Sequence, residues 1–241
     1  MQIVIPMAGK GKRFAEQGYS KPKPLIDVNG KPMIQLVLDN LNMDAKYHFI
    51  CQKEHCKKYS LDNSLRLLKP DCNIIHIDRI TDGPASTVLL AKKFINNDDE
   101  LIIANSDQLV EWNSNNFLSY LRERNADGGI LTFKASDDKW SFVKLNKEEL
   151  VTEVAEKKPI SDIATVGIYY FKKGKYFVDA AEEMIQKNIR TNNEFYVAPT
   201  YNEMIKKRKE IRIHSVSKMY GLGTPADLKE YLKIKLNNGE K

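Results

Sequence analysis

The chain reads as an α/β fold with a mostly parallel sheet flanked by helices. Three features of its 241 residues say so. Short apolar runs alternate with amphipathic stretches through the first half, the βαβα rhythm of parallel sheets. The run Leu101–Ala104 has no polar alternation, as befits a strand buried on both faces. Pro32 and Pro84 stand where amphipathic stretches begin, the one place a helix accepts proline readily.

Taken in order, residues 3–6 form the first strand. Residues 32–41 form a helix with Ile34, Val37, Leu38 and Leu41 on one face. A strand at 47–51, a helix at 54–68, a strand at 73–77 and a helix at 84–95 follow. The strand at 101–104 and a helix at 113–124 close the first half. The second half changes character: strands at 129–135, 140–145, 150–154 and 164–171 are joined by short turns. Helices at 174–188 and 198–209, a strand at 211–216 and a helix at 225–236 complete the chain. No linker or repeat divides the halves, so one domain is expected over 1–241. Ligands of such sheets bind beyond the carboxyl ends of the strands, here near 6–23, 78–86 and 105–111.

The net charge is +6. Lys10, Lys12, Arg13, Lys21 and Lys23 crowd into one stretch, which suits a small polyanion such as a triphosphate rather than a nucleic acid. The run Lys206, Lys207, Arg208 and Lys209 ends an amphipathic helix, where cations complement the dipole, and reads as surface. Cys51, Cys56 and Cys72 match no zinc spacing and read as reduced thiols. His76 and His214 lie within apolar strand-like runs and read as structural. No apolar run approaches about 18 residues, and the first residues lack a signal peptide's pattern, so no membrane association and a cytoplasmic location are expected. Disorder is expected only at 237–241.

The most informative segment is Ile5-Pro6-Met7-Ala8-Gly9-Lys10-Gly11-Lys12-Arg13-Phe14, which follows the first strand. Glycines there let backbone amides approach a phosphate. Phe14 stands where a dinucleotide fingerprint needs a third small residue, and no Gly-Lys-Ser/Thr follows at P-loop spacing, so both of those classes are disfavoured. The sequence continues with Ser20-Lys21-Pro22-Lys23-Pro24 and then Gly30-Lys31-Pro32-Met33-Ile34.

This ordered set resembles the sugar-phosphate nucleotidyltransferases, the nucleoside-diphosphate-sugar pyrophosphorylases, in their short single-domain form. The resemblance runs from Ile3 to Leu228. It implies a Rossmann-like, glycosyltransferase-A-like nucleotidyltransferase fold, with a nucleotide-binding half at about 1–127 and a substrate-binding half at about 128–241. It implies transfer of a nucleotide from an NTP to a sugar 1-phosphate or similar small phosphorylated substrate, with release of pyrophosphate. Arg13 matches the arginine on the β- and γ-phosphates, and Lys23 the lysine at the α-phosphate. Ala8, Gly9 and Gly11 match the nucleotide loop, and Gly83 in Asp82-Gly83-Pro84 the turn beside the base. Asp107, which ends the strand run Ile102-Ile103-Ala104, matches the ligand of Mg²⁺ or Mn²⁺. Glu156 and Lys157 match residues for sugar hydroxyls and substrate phosphate, Gly167 a position of close substrate approach, and Glu194 an acceptor-side acid. A second metal aspartate is missing: Gly221 stands in its place, and Asp227 reads as a helix-start carboxylate. A homo-oligomer is compatible with such a family. The competing readings are a glycosyltransferase of the related fold, disfavoured because Ser106-Asp107-Gln108 lacks Asp-x-Asp, and a non-catalytic nucleotide-binding relative, disfavoured by Arg13, Lys23 and Asp107.

Overall fold

The computed structural model describes residues 1–237. Of the tail expected to be disordered, Asn237 ends the last helix and the rest lies outside the described residues. The first half runs β1 (Gln2–Pro6), α1 (Lys12–Ala15), β2 (Asp27–Val28), β3 (Lys31–Pro32), α2 (Met33–Leu41), β4 (Lys46–Gln52), α3 (Lys53–Tyr59), α4 (Leu61–Leu68), β5 (Asn73–Ile77), α5 (Pro84–Leu89), α6 (Lys92–Ile95), β6 (Leu101–Ala104), β7 (Gln108–Val110) and α7 (Ser114–Glu123). The second adds β8 (Gly128–Lys134), β9 (Ser141–Leu145), β10 (Val151–Glu156), β11 (Ile163–Phe171), α8 (Gly174–Gln186), α9 (Thr200–Lys206), β12 (Ile211–Ser215), β13 (Met219–Gly221) and α10 (Pro225–Asn237).

The main sheet has the order β10-β9-β11-β6-β1-β4-β5, with β8 paired to β11 and β12. Strands β6, β1, β4 and β5 are parallel, as the βαβα rhythm requires. The expectation of a mostly parallel sheet fails beyond β6. There β11 runs antiparallel to β6, β8 and β9, and β9 antiparallel to β10. For β9 and β10 the reason is connection length: a short turn joins them, and it can join only antiparallel neighbours, whereas a parallel pair needs a crossover. The pair β8 and β12, separated by helices α8 and α9, is parallel.

Alternation along β1 divides the core. Ile3 and Ile5 pack on the face covered by α2 and α7, while Val4 faces Val88, Ile103 and Phe177 on the other. Two expected helices are broken. The stretch 54–68 is split at Ser60, whose φ of 52° is left-handed. The stretch 84–95 is split near Ala91, where hydrogen bonds from Leu90 to Thr87 and from Ala91 to Val88 tighten the turn to 3₁₀ form. The basic run at 206–209 is a surface feature as expected: α9 stops at Lys206, Lys207 pairs with Glu183, and Lys209 with Asp127. Among the described residues, no helix is long and apolar enough to cross a membrane.

Candidate active site

The carboxyl ends of β1 and β6 carry the residues singled out from the sequence. After β1 the chain holds Met7 and Ala8 in the core and exposes Gly9 and Lys10. Two contacts fix this turn. The Met7 amide donates to the Ile50 carbonyl, and Gln52 Nε2 donates to the carbonyls of Ala8 (2.9 Å) and Gly9 (3.1 Å). Gly11 starts α1 at φ 60°, a left-handed conformation that favours glycine. Phe14, 2% exposed and edge-on to Tyr19, anchors α1 in the core. Arg13 is thereby held at the surface. Among the described residues Lys10, Lys12, Arg13 and Lys21 have no carboxylate partner, so this field is left unneutralised.

Lys23 opens a 3₁₀ turn, Lys23–Leu25, pinned by buried Pro24 and Leu25. Its Nζ lies 2.6 Å from Asp107 Oδ2. Asp107 follows β6 and is held by its own backbone carbonyl, which accepts from the Leu222 amide at 2.7 Å. Strand β7 then pairs antiparallel with β13, setting Gln108 opposite Gly221. The Tyr220–Pro225 stretch therefore does lie beside Asp107; a Cβ on Gly223 would come 3.0 Å from Asp107 Oδ2. Asp227 plays the structural part read from the sequence. It accepts a hydrogen bond from the Thr224 hydroxyl at 2.6 Å, and its amide donates back to Thr224 Oγ1 at the start of α10. Its carboxylate also faces the cleft that contains Asp107.

That cleft has two lobes. One, of about 340 Å³, is lined by Arg13, Gln108, Trp140, Glu156, Gly167 and Tyr196 among others. The other, of about 260 Å³, is lined by Ala8, Gly9, Gly83, Thr87, Ser106 and Glu194 among others. Lys23, Pro84, Asn105 and Asp107 belong to both, so the lobes meet at the Lys23–Asp107 ion pair.

Gly83 joins the two halves. Its φ is 122°, and a Cβ there would lie 2.5 Å from the backbone nitrogen of Phe195. The close approach is locked by the Phe195 amide donating to the Asp82 carbonyl and the Ala85 amide to the Phe195 carbonyl. Gly83→Ala should cost about 1–3 kcal/mol from backbone conformation alone. At roughly 2–4 °C per kcal/mol for a chain of this size, thermal unfolding should shift down by several degrees. An unchanged melting temperature would show that the two segments separate freely.

In the second half, Glu156 ends β10 inside the larger lobe and accepts from the Ser141 hydroxyl. Burial pushes its carboxyl above the usual range, against the lowering effect of Ser141 and Lys157. Lys157 sits at the rim at φ 53°. Its Nζ donates to the Tyr196 hydroxyl at 2.6 Å, and that hydroxyl donates to Glu194 at 2.6 Å. Lys157 is exposed, as is neighbouring Lys158. Gly167 has a local reason to lack a side chain. At φ 83°, a Cβ would meet the side-chain amides of Asn105 at 2.3 Å and Gln108 at 2.6 Å. These amides form the floor of the lobe. Gln108 Nε2 is buried there with no protein partner. Sequence reasoning missed Trp140, Ser141, Asn105 and Gln108. The last two flank Asp107 in sequence, and their amide chemistry was a usable signal; Trp140 and Ser141 reach the site only through the β9–β10 hairpin.

A separate trio, Cys56, Asp62 and His76, brings its donor atoms within 4.8 Å of one another and could hold a divalent cation. It belongs to α3, α4 and β5 and does not include Asp107.

The Nucleotidyl transferase family model matches residues 3–216, and the chain belongs to that family. The nucleoside-diphosphate-sugar pyrophosphorylase from Vibrio cholerae RC9 superposes with a TM-score of 0.83 at 26% identity, over 96% of this chain and 99% of that one. A UDP-glucose pyrophosphorylase complexed with UDP-glucose shares the fold at TM-score 0.78 and 16% identity, over 98% of each chain. The bifunctional protein GlmU of Methanocaldococcus jannaschii is 29% identical across 98% of this chain, which spans 55% of that relative. The UTP–glucose-1-phosphate uridylyltransferase AglF of Haloferax volcanii is 24% identical over 79% of this chain and 86% of its own.

Proposed function

We propose that this protein transfers a nucleoside monophosphate from an NTP to a sugar 1-phosphate, or a similar small phosphorylated substrate, giving a nucleotide-linked product and pyrophosphate. The observation that carries this reading is the Lys23–Asp107 pair where the two lobes meet. A reaction that joins two substrates needs its charged groups at that junction. There an oxygen of the acceptor phosphate forms a bond to the α-phosphorus, the bond to the β-bridging oxygen breaks, and pyrophosphate leaves with the electron pair.

In this reading the smaller lobe takes the nucleoside, with Ala8, Gly9, Gly11 and Gly83 close to it. The larger lobe takes the acceptor, with Glu156 and the orphan Gln108 amide facing its hydroxyls. Tyr196, in the larger lobe, links Lys157 at the surface to Glu194, which lines the smaller lobe. Arg13, exposed and unpaired, meets the β- and γ-phosphates. Lys23 meets the α-phosphate. Transfer of this kind depends mainly on positioning and charge stabilisation.

Asp107 and Asp227 offer hard carboxylate oxygens to one cleft, a donor set that fits Mg²⁺ or Mn²⁺. Asp107 would hold the ion, which supplies positive charge against the phosphates. Lys23 pairs with the same carboxylate, so tight metal binding should require the triphosphate to draw Lys23 away. The test of the whole reading is a pyrophosphate-release matrix of NTPs against phosphorylated sugars and polyols. Turnover of one pair supports it, and nucleotide release from a nucleotide-sugar instead would favour a glycosyltransferase.

Arg13 gives a sharper check. Its planar fork can bind a phosphate in two-point fashion, which an ammonium cannot. Arg13→Lys should lower kcat/KM about tenfold or more, equivalent to roughly 1.4 kcal/mol. Wild-type kinetics in that variant would reduce Arg13 to one member of a general basic field.

A further inference from the structure

We propose that Cys56, Asp62 and His76 form a second cation site, distinct from the catalytic cleft, that takes a borderline-soft divalent metal of the Zn²⁺ type. The three residues come from three elements, α3, α4 and β5, and converge on one side of the parallel sheet. His76 Nε2 lies 2.9 Å from Asp62 Oδ2 and 3.1 Å from Oδ1. The Cys56 thiol hydrogen-bonds the same carboxylate. One donor of each kind, sulfur, nitrogen and oxygen, therefore already points at a common centre.

The donor chemistry selects the ion. Thiolate and imidazole suit Zn²⁺ and its neighbours, whereas Mg²⁺ and Ca²⁺ prefer all-oxygen sites. Cys56 is buried at 9% exposure, while Asp62 and His76 reach solvent, so a metal has an entry path and water can complete a tetrahedron. On binding, the thiol proton passes to solvent and the sulfur lone pair forms the metal bond. The bound ion would tie α3 and α4 to the edge strand β5. That edge has otherwise only β4 as a strand neighbour. Its neighbour in sequence, Ile77, points to the other face and lines the nucleotide lobe. The site therefore stiffens the strand that walls the cleft without entering it.

The spacing of these residues in sequence, six and then fourteen apart, matches no metal motif, and the cysteine by itself reads as a reduced thiol. Only the packing of α3 and α4 against β5 brings them together.

Titration of the full chain with Co²⁺ alone is the test, because a cobalt–thiolate bond gives a charge-transfer absorption that oxygen and nitrogen ligands do not. Wild type should bind one equivalent with that band. Cys56→Ser should lose the band. His76→Gln, at an exposed position where refolding is not at stake, should keep it but bind about 10–100-fold more weakly. Cys72→Ser should behave as wild type. Zn²⁺ should displace Co²⁺ and raise the melting temperature of wild type but not of His76→Gln, while Mg²⁺-supported turnover is unchanged in His76→Gln. Absence of the thiolate band in wild type, or its retention in Cys56→Ser, would overturn the proposal.

Discussion

Lys23→Ala is expected to lower kcat by about 10²–10³, the loss that follows removal of one preorganised charge contact to a developing anion. The geometry makes the expectation more specific than a loss of rate. Lys23 Nζ sits on Asp107. If it moves to the α-phosphate in the complex, its removal damages the transition state and frees the Asp107 carboxylate at the same time. The Mg²⁺ concentration needed for half-maximal rate should then stay level or fall while kcat collapses. If Lys23 serves only to hold Asp107 in place, the two quantities should worsen together. Steady-state kinetics across a Mg²⁺ series separates these outcomes, and near-normal kcat would remove Lys23 from the chemistry. Folding should be little affected, since the turn is anchored by Pro24 and Leu25 rather than by the lysine.

Most of the first half was legible because there the local signals agree. Ile3 to Pro6, Asn73 to Ile77 and Leu101 to Ala104 are short apolar runs, and each forms a strand of the parallel set. Asn113 starts α7 and caps it, accepting from the amides of Asn115 and Asn116. What sequence could not show was pairing. β7 and β13 have only three residues each, and β2 and β3 only two, too few for a periodicity to register. Yet the β7–β13 pair sets Gly221 opposite Gln108 and brings Gly223 beside Asp107. Sheet direction beyond β6 was likewise hidden, because alternation says which face a side chain takes and nothing about its partner strand. The candidate site follows the same division. Arg13, Lys23 and Asp107 were readable from a linear motif. Ser141 and Trp140 were not, because they converge only through the hairpin and the bend of β11 at Gly167.

The missing second aspartate gives the other large effect. Gly221 stands where the family resemblance implies a carboxylate, and Asp227 is already engaged by Thr224 in a reciprocal cap. One protein carboxylate still suffices for Mg²⁺, which keeps several waters and binds largely through substrate phosphates. Asp107→Asn should therefore abolish most activity and raise the Mg²⁺ requirement by at least the roughly 10–100-fold that follows loss of even a hydrogen-bond partner to a metal ligand. It also strips Lys23 of its counter-charge, so the variant should bind NTP without metal no worse than wild type. Asp227→Asn keeps an oxygen for Thr224 and should shift the Mg²⁺ requirement little, costing on the order of 1 kcal/mol or less through the helix start. Chelator should silence wild type, and excess Mg²⁺ should restore it. Mn²⁺ binding followed by electron paramagnetic resonance, with and without nucleotide, supplies a readout independent of turnover: the tight component should need nucleotide and should vanish in Asp107→Asn alone. If Asp227→Asn proves the more damaging in both measurements, the cap is secondary and Asp227 is the carboxylate that replaces the missing one.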